Sequence, residues 1–243
     1  LQCLQWIYDT AAARNLETVI VAGDFLHHRY SLNTYAYAKA CKIVAERKRA
    51  GINTIFLLGN HDMFHENQWD VHSLAPLMEW SKVVDSPTTL EIHGIPVDFL
   101  PYTPLPSKYI DGFEKPSKTL ISHLSVAEAI LNKKYDVISV EDDTKEKEVI
   151  QADAFKKWKK VWLGHYHYGQ KVNRNVEYVG SPMQLTYGEA GQKKHVAIYD
   201  LATLKTEYVD NEISPRFHIV EDPDEIDGLA INNGYIQVRA KGP

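Results

Sequence analysis

Four short apolar stretches in this sequence each run straight into a polar loop, and that repeated unit limits the fold more than any other feature. They are Thr18-Val-Ile-Val-Ala22 before Gly23-Asp24, and Thr54-Ile-Phe-Leu-Leu58 before Gly59-Asn-His-Asp62. Thr119-Leu-Ile-Ser122 before His123 and Val161-Trp-Leu163 before Gly164-His-Tyr-His167 complete the set. Continuous apolar runs of this length suit strands covered on both faces. Helical spacing fills the gaps between them. Leu1, Leu4, Ile7 and Tyr8 share one face over residues 1 to 15, and Leu32 to Ala50 reads as a helix stopped by Gly51. Helices alternating with buried strands make α/β layers, and ligand sites in such sheets gather at the carboxyl ends of strands. All four polar loops lie there.

The remaining chain adds a helix over Val71 to Trp80 and a hairpin over residues 88 to 100. Leu131 to Glu148 is charged and poor in apolar residues, so it reads as an exposed loop or insertion. Val176 to Val179, Val196 to Tyr199 and Leu204 to Val209 read as strands of a second sheet. Glu221 to Asp227 is acidic and holds a proline, which makes it a candidate linker. The expected division is a main domain over 1–220, with 221–243 a linker and the start of a further domain. The first residue is not Met and the sequence stops in a strand-like stretch, so the expectation is a piece of a longer protein.

Composition supports a packed protein: 44% of the 243 residues are hydrophobic. No apolar run reaches the length of a membrane span, and no signal peptide is recognisable, so no membrane association is expected. The only cysteines are Cys3 and Cys41, which suits a reducing, cytoplasmic setting. The net charge of −5 argues against a bulk electrostatic grip on nucleic acid, although bound cations would invert the potential locally. The run Lys156-Lys-Trp-Lys-Lys160 reads as a solvated helix end, with DNA contact as the rival reading.

The order Gly23-Asp24, Gly59-Asn60-His61-Asp62, Ser122-His123 and Gly164-His165-Tyr-His167 resembles the calcineurin-like metallophosphoesterase superfamily. The resemblance implies a four-layer α/β sandwich, two mixed β-sheets flanked by helices, with a two-metal site at one edge. Its chemistry is coherent with the residue types. Asp24 offers an anion that two cations can share, Asn60 a neutral oxygen, and His123, His165 and His167 neutral nitrogens. Residues two apart in extended chain face the same side, so His165 and His167 could reach two metals about 3.5–4 Å apart. A nitrogen and oxygen set without thiolate suits manganese, iron or zinc. Carried over residue by residue, Asp24 bridges, while Asn60, His123 and His165 complete the second metal. His167 belongs to the first metal, and His61 lies near the scissile phosphate. Asp62 reads as a loop-orienting acceptor.

A second layer is similar to the SbcD-like DNA repair nucleases, and to the phage recombination endonuclease subunits among them. His27, three residues after Asp24, matches their second catalytic histidine, and Tyr178-Val-Gly-Ser-Pro182 resembles their Tyr-x-Gly-Ser-Pro segment. This implies a nuclease subunit that hydrolyses DNA phosphodiesters with two divalent metals, manganese first among them. It also implies a homodimer and a separate SMC-like ATPase of the ABC class as partner. This chain has no Gly-x-x-x-x-Gly-Lys-Ser/Thr loop of its own. The superfamily's Asp-x-His, which completes the first metal, has no counterpart before Asp24. Two alternatives stay open: a phosphatase or phosphodiesterase of the same superfamily, and a non-catalytic scaffold with an incomplete metal site.

Overall fold

The computed structural model describes residues 1–129, 148–228 and 234–239. The expected exposed insertion falls almost entirely on residues outside them. Helix α1 (Gln2–Ala13) buries Cys3, Tyr8 and Ala11, which lie on one face. It leads to strand β1 (Thr18–Val21), helix α2 (Thr34–Arg49) and strand β2 (Asn53–Leu57). The Asn33 side chain caps α2 by accepting from the Ala36 N–H at 3.0 Å. Arg47, Lys48 and Arg49 occupy its last turn, where positive charge complements the helix dipole.

Strands β1, β2 and β3 (Lys82–Val84) form a three-stranded parallel sheet. The larger sheet has six strands, in the order β4 (Thr88–Ile92), β5 (Ile95–Leu100), β6 (Thr119–His123), β7 (Lys160–Gly164), β9 (Val176–Tyr178), β8 (Gln170–Lys171). It is mixed: β5, β6, β7 and β9 run parallel, and β4 and β8 are antiparallel edges. His93 and Gly94, both at positive φ, make the two-residue turn of the β4–β5 hairpin.

Three apolar clusters define four layers. Tyr8, Ala11 and Val44 of the helices pack on Phe56 and Val83 of the small sheet. Ile55, Leu57 and Val84 of that sheet meet Val97, Phe99, Ile121 and Trp162 of the large one. The outer face of the large sheet, with Leu120, Val161, Leu163 and Tyr178, is covered by Ile110 of helix α3 (Pro106–Ile110) and by Phe155 and Trp158. This is the α/β sandwich of two sheets between helical layers that the sequence led us to expect.

Three expectations change in detail. The helix over Val71 to Trp80 shrinks to a 3-10 turn at Ala75–Glu79. His72 instead bridges back to Met63, and the Ser73 N–H donates to the Asp62 carbonyl at 2.8 Å. Pro76 has no N–H to extend a helix through that point. Strand β9 joins the six-stranded sheet beside β7, whereas β10 (His195–Tyr199) and β11 (Thr206–Asp210) pair only with each other among the described residues. The acidic stretch near 221 forms a 3-10 turn, Pro223–Gly228. Strands β12 (Arg216–Val220) and β13 (Gly234–Val238) pair in parallel.

The lysine run is mostly structural. Trp158 is buried, Lys157 donates to the Ile110 and Phe113 carbonyls, and Lys160 pairs with buried Glu177. Lys156 and Lys159 are exposed. Among the described residues, no helix is long and apolar enough to cross a membrane.

Candidate metal centre

The first loop turns back at the end of β1. Gly23 has φ +93° and Asp24 φ +53°, a left-handed pair that aims the Asp24 carboxylate across the sheet edge. Asp24 Oδ1 accepts the His61 N–H at 2.9 Å, and Oδ2 lies 3.1 Å from His123 Nε2. The approach is close enough that a Cβ on Gly59 would fall 2.1 Å from Asp24 Oδ1. Asp62 ties the two loops together underneath, accepting from the Gly59 N–H at 2.9 Å and the Leu26 N–H at 3.2 Å. Burial, then the nearby Asp24 charge, push the Asp62 carboxyl up to about 7. It orients loops from below, and its partners are backbone groups.

His123, at the end of β6, is buried. Its Nδ1 lies 2.7 Å from the Ala22 carbonyl, which can only accept, so Nδ1 carries the proton. Nε2 therefore faces Asp24 Oδ2 and, at 3.2 Å, Asn60 Oδ1. From β7, His165 Nδ1 lies 3.1 Å from the same Asn60 oxygen. One donor atom each from Asp24, His123 and His165 falls within 4.8 Å of the others. His165 holds φ +90°, a conformation that non-glycine residues keep only where the surroundings enforce it.

The electrostatics agree with this geometry. Burial would raise the Asp24 carboxyl, yet His123 and then His61 hold it well below the usual carboxylate range. Burial opposes a charge on His123, and Asp24 opposite outweighs it and raises the imidazole. Burial, then the His123 charge, lower His165 to about 3, so it stays neutral with a lone pair to give. Three electron-rich atoms, Asp24 Oδ2, Asn60 Oδ1 and His123 Nε2, thus point at one another, and they need a cation between them. A proton on His123 can serve; a divalent metal fits the same oxygen and nitrogen set. The Ala22 carbonyl behind His123 is the outer contact usual for a metal-binding histidine.

His167 stands outside that triple. Its Nδ1 lies 3.0 Å from Glu189 Oε1, and its side chain is 43% exposed. His27 and His61 stack with ring centroids 5.6 Å apart, His27 exposed and His61 half-buried. Tyr102 lies beneath, its ring 6.3 Å from His123 and 6.1 Å from His165. Its carbonyl accepts the Trp69 Nε1–H at 2.8 Å. The structure therefore gathers Asp24, Asn60, His123 and His165 tightly, sets His61 and His27 beside them, and places His167 against Glu189. Sequence reasoning missed Glu189, Lys194, Tyr102 and Trp69, because no spacing ties them to the loops. Burial marks the first two: Glu189 and Lys194 are both nearly inaccessible and pair at 2.7 Å. Burial opposes ionisation of Glu189, but His167 and then Lys194 keep its carboxyl low.

Residues 1–188 match the family described as calcineurin-like phosphoesterase. The chain is 26% identical over 206 residues to exonuclease subunit 1 of Enterobacteria phage T4, covering 81% of this chain and 56% of that protein. It is 25% identical over 204 residues to the putative phosphoesterase 244L of Invertebrate iridescent virus 6, covering 78% of this chain and 64% of that one. The chain thus spans less than two thirds of the length of either relative. A structure described as a novel archaeal phosphodiesterase aligns with 86% of this chain and 92% of its own, at 14% identity and a TM-score of 0.45.

Proposed function

We propose, from the premise that this chain belongs to the calcineurin-like phosphoesterase family of metal-dependent phosphoester hydrolases, that it is the nuclease portion of a DNA-end-processing enzyme. The observation that carries this reading is the convergence of Asp24, Asn60, His123 and His165 from both sheets. The name of the phage relative, exonuclease subunit 1, supports a nuclease activity.

In this reading two divalent metals, manganese first among them, are held by the loops. Asp24 would be shared between them, Asn60, His123 and His165 would hold one, and His167 would contribute to the other, whose remaining Asp-x-His ligands have no counterpart before Asp24. When bound, two dications lower the pKa of water toward about 7 and offset the charge growing on the phosphate. The remaining work belongs to side chains of this chain. His61, its own N–H anchored on Asp24, presents its imidazole to the phosphodiester and gives a proton to the leaving oxygen. His27, stacked on His61, keeps that ring from turning away and lines the phosphate path. Tyr102, its carbonyl held by the Trp69 Nε1–H, closes the floor beneath His123 and His165. The full protein would work as a subunit, in a homodimer with an SMC-like ABC-type ATPase, in a cytoplasmic setting.

The test compares manganese-dependent cleavage of linear duplex DNA with hydrolysis of p-nitrophenyl phosphate, for the wild type and His61→Ala. A nuclease cleaves DNA well and the small ester poorly, and His61→Ala loses DNA cleavage. The opposite preference would favour a phosphatase of the same family. Metal binding with neither activity would favour the scaffold reading.

A further inference from the structure

Beneath His167 lies a buried ionic cluster that the proposed chemistry does not use. Glu189 Oε1 accepts from His167 Nδ1 at 3.0 Å, and Oε2 lies 2.7 Å from Lys194 Nζ. Lys194 Nζ also donates to the His167 carbonyl at 2.7 Å and to Ser181 Oγ at 2.9 Å. The Ser181 hydroxyl and the Leu185 N–H each reach Glu189 Oε2 at 3.4 Å, and the Ser181 N–H reaches the His167 carbonyl at 3.1 Å. Gly180, at φ +75°, brings this segment against the His167 carbonyl, which would lie 3.1 Å from a Cβ there. Buried charges of this kind are kept only where every partner is satisfied. The cluster meets that condition and is built around a single histidine.

We infer that Glu189, held in place by Lys194, is a positioning residue that fixes the proton of His167 on Nδ1 and so presents the bare Nε2 to the metal site. Donor and acceptor balance sets the tautomer. A carboxylate paired with an ammonium only accepts, so His167 Nδ1 must donate to it. A neutral imidazole carries one proton, which leaves the lone pair on Nε2. Carboxylate partners of this type fix the tautomer and orientation of metal-binding histidines in general. The inference rests on the reading of His167 as a metal ligand, and its test separates the two.

Glu189→Gln is informative because Oε2 lies 2.7 Å from the Lys194 ammonium, which can only donate, and faces the Leu185 N–H at 3.4 Å. An amide nitrogen cannot sit there. The glutamine oxygen must take that position, and its NH2 then faces His167 Nδ1. Nδ1 becomes an acceptor, and the proton moves to Nε2. The shape is kept and the tautomer is reversed. In Glu189→Gln/Lys194→Met the ammonium is gone, so the amide NH2 can donate to Ser181 Oγ, whose own proton goes to the Met183 carbonyl at 2.8 Å; the amide oxygen then turns to His167 and the Nδ1–H form returns.

The readouts are ring-nitrogen NMR spectra of metal-free protein labelled with 15N-histidine, at about pH 8.5, where an ordinary imidazole is neutral, and calorimetric titration with Mn2+ alone. The His167 signals are assigned by difference from His167→Asn. The wild type should show the Nδ1–H form, and Glu189→Gln the Nε2–H form with Mn2+ affinity at the His167 position lowered about 10–100-fold. The double variant should restore both. If the single variant does not fold, Glu189→Leu/Lys194→Met carries the test: it buries no unpaired charge and offers Nδ1 no acceptor, so the Nδ1–H preference should be lost, and its retention would overturn the positioning role. An unchanged Nδ1–H form in Glu189→Gln, or an Nε2–H form in Glu189→Gln/Lys194→Met, would overturn the positioning role and leave the metal reading intact. A reversed tautomer with Mn2+ binding unchanged would overturn the reading of His167 as a ligand, and with it the metal half of the inference.

Discussion

Gly164→Ala should wedge apart the two sheets at the point where they form the site. The residue ends β7 opposite the end of β1, and a Cβ there would lie 1.9 Å from the Ala22 carbonyl oxygen and 2.7 Å from His123 Nδ1. Ala22 cannot yield cheaply, because its oxygen accepts the His123 proton at 2.7 Å. Relief therefore needs the strand ends to part by about 1 Å, an overpacking strain that typically costs about 1–3 kcal/mol. Losing the Ala22–His123 hydrogen bond adds about 1 kcal/mol. The sum, about 2–4 kcal/mol, corresponds to a melting-temperature drop of roughly 4–16 °C in a chain of this size. The functional effect should be larger, since a displacement of about 1 Å at a reacting centre can cost about 100-fold in rate. Thermal unfolding measures the first part; the rate of phosphodiester cleavage, with Mn2+ calorimetry beside it, measures the second. Gly191→Ala is the control: its φ is +76°, but a Cβ there meets nothing within 4 Å. It should cost only the left-handed strain of about 1–2 kcal/mol and leave metal binding alone. Wild-type stability and Mn2+ affinity in Gly164→Ala would refute the argument that this glycine sets the distance between the sheets at the site.

His61→Ala should reduce phosphodiester cleavage about 10²–10⁴-fold while nearly retaining bound metal, as read by calorimetry; wild-type cleavage would remove His61 from its assigned role. Asp24→Ala should lose metal and activity together, because its carboxylate meets both His123 and the His61 N–H; retained metal would show that the carboxylate is no ligand. Trp158→Phe should cost about 1–3 kcal/mol in urea unfolding, because buried Asp98 loses the Trp158 Nε1–H at 2.7 Å and keeps only Thr89 and Ser117. Unchanged stability would show that those two suffice. His72 is lowered from its ordinary value by burial, with Asp85 and Asp70 working the other way. The unfolded chain then binds more protons than the folded one, so this contribution is present above about pH 6.5 and is lost as pH falls through and below it. His72→Gln in metal-free protein should flatten the decline in stability between about pH 6.5 and 5, and an unchanged slope would exclude His72 as its source.

The loops that assemble the site were legible because their chemistry is local. A buried strand must run apolar, and it must end where polar residues begin, so Ala22-Gly-Asp24 and Leu58-Gly-Asn60 announce both the sheet and the edge at which ligands collect. The His93-Gly94 turn and the Asn33 cap are likewise short-range effects of backbone freedom and side-chain reach. The failed helix over Val71 to Trp80 had a helical pattern, but pairing of His72 with Met63 and the Asp62 carbonyl's hold on Ser73 took its backbone groups first. Strand β9 was visible as a strand, yet its sheet was not, because strand order depends on pairing between distant segments.

What the sequence determined by itself was therefore the layer pattern and the residue types on four loops. What only the tertiary structure decided was how those residues meet. It set the Asp24–His123 contact at 3.1 Å, fixed the His123 proton on Nδ1 by facing it with the Ala22 carbonyl, and engaged His167 with Glu189 beside the Asp24, His123 and His165 group. Glu189 and Lys194 had no place in any motif. Their role depends on both charges being buried beneath one imidazole, and burial is a property of the packed chain: it comes from surfaces far apart in sequence closing over the same point.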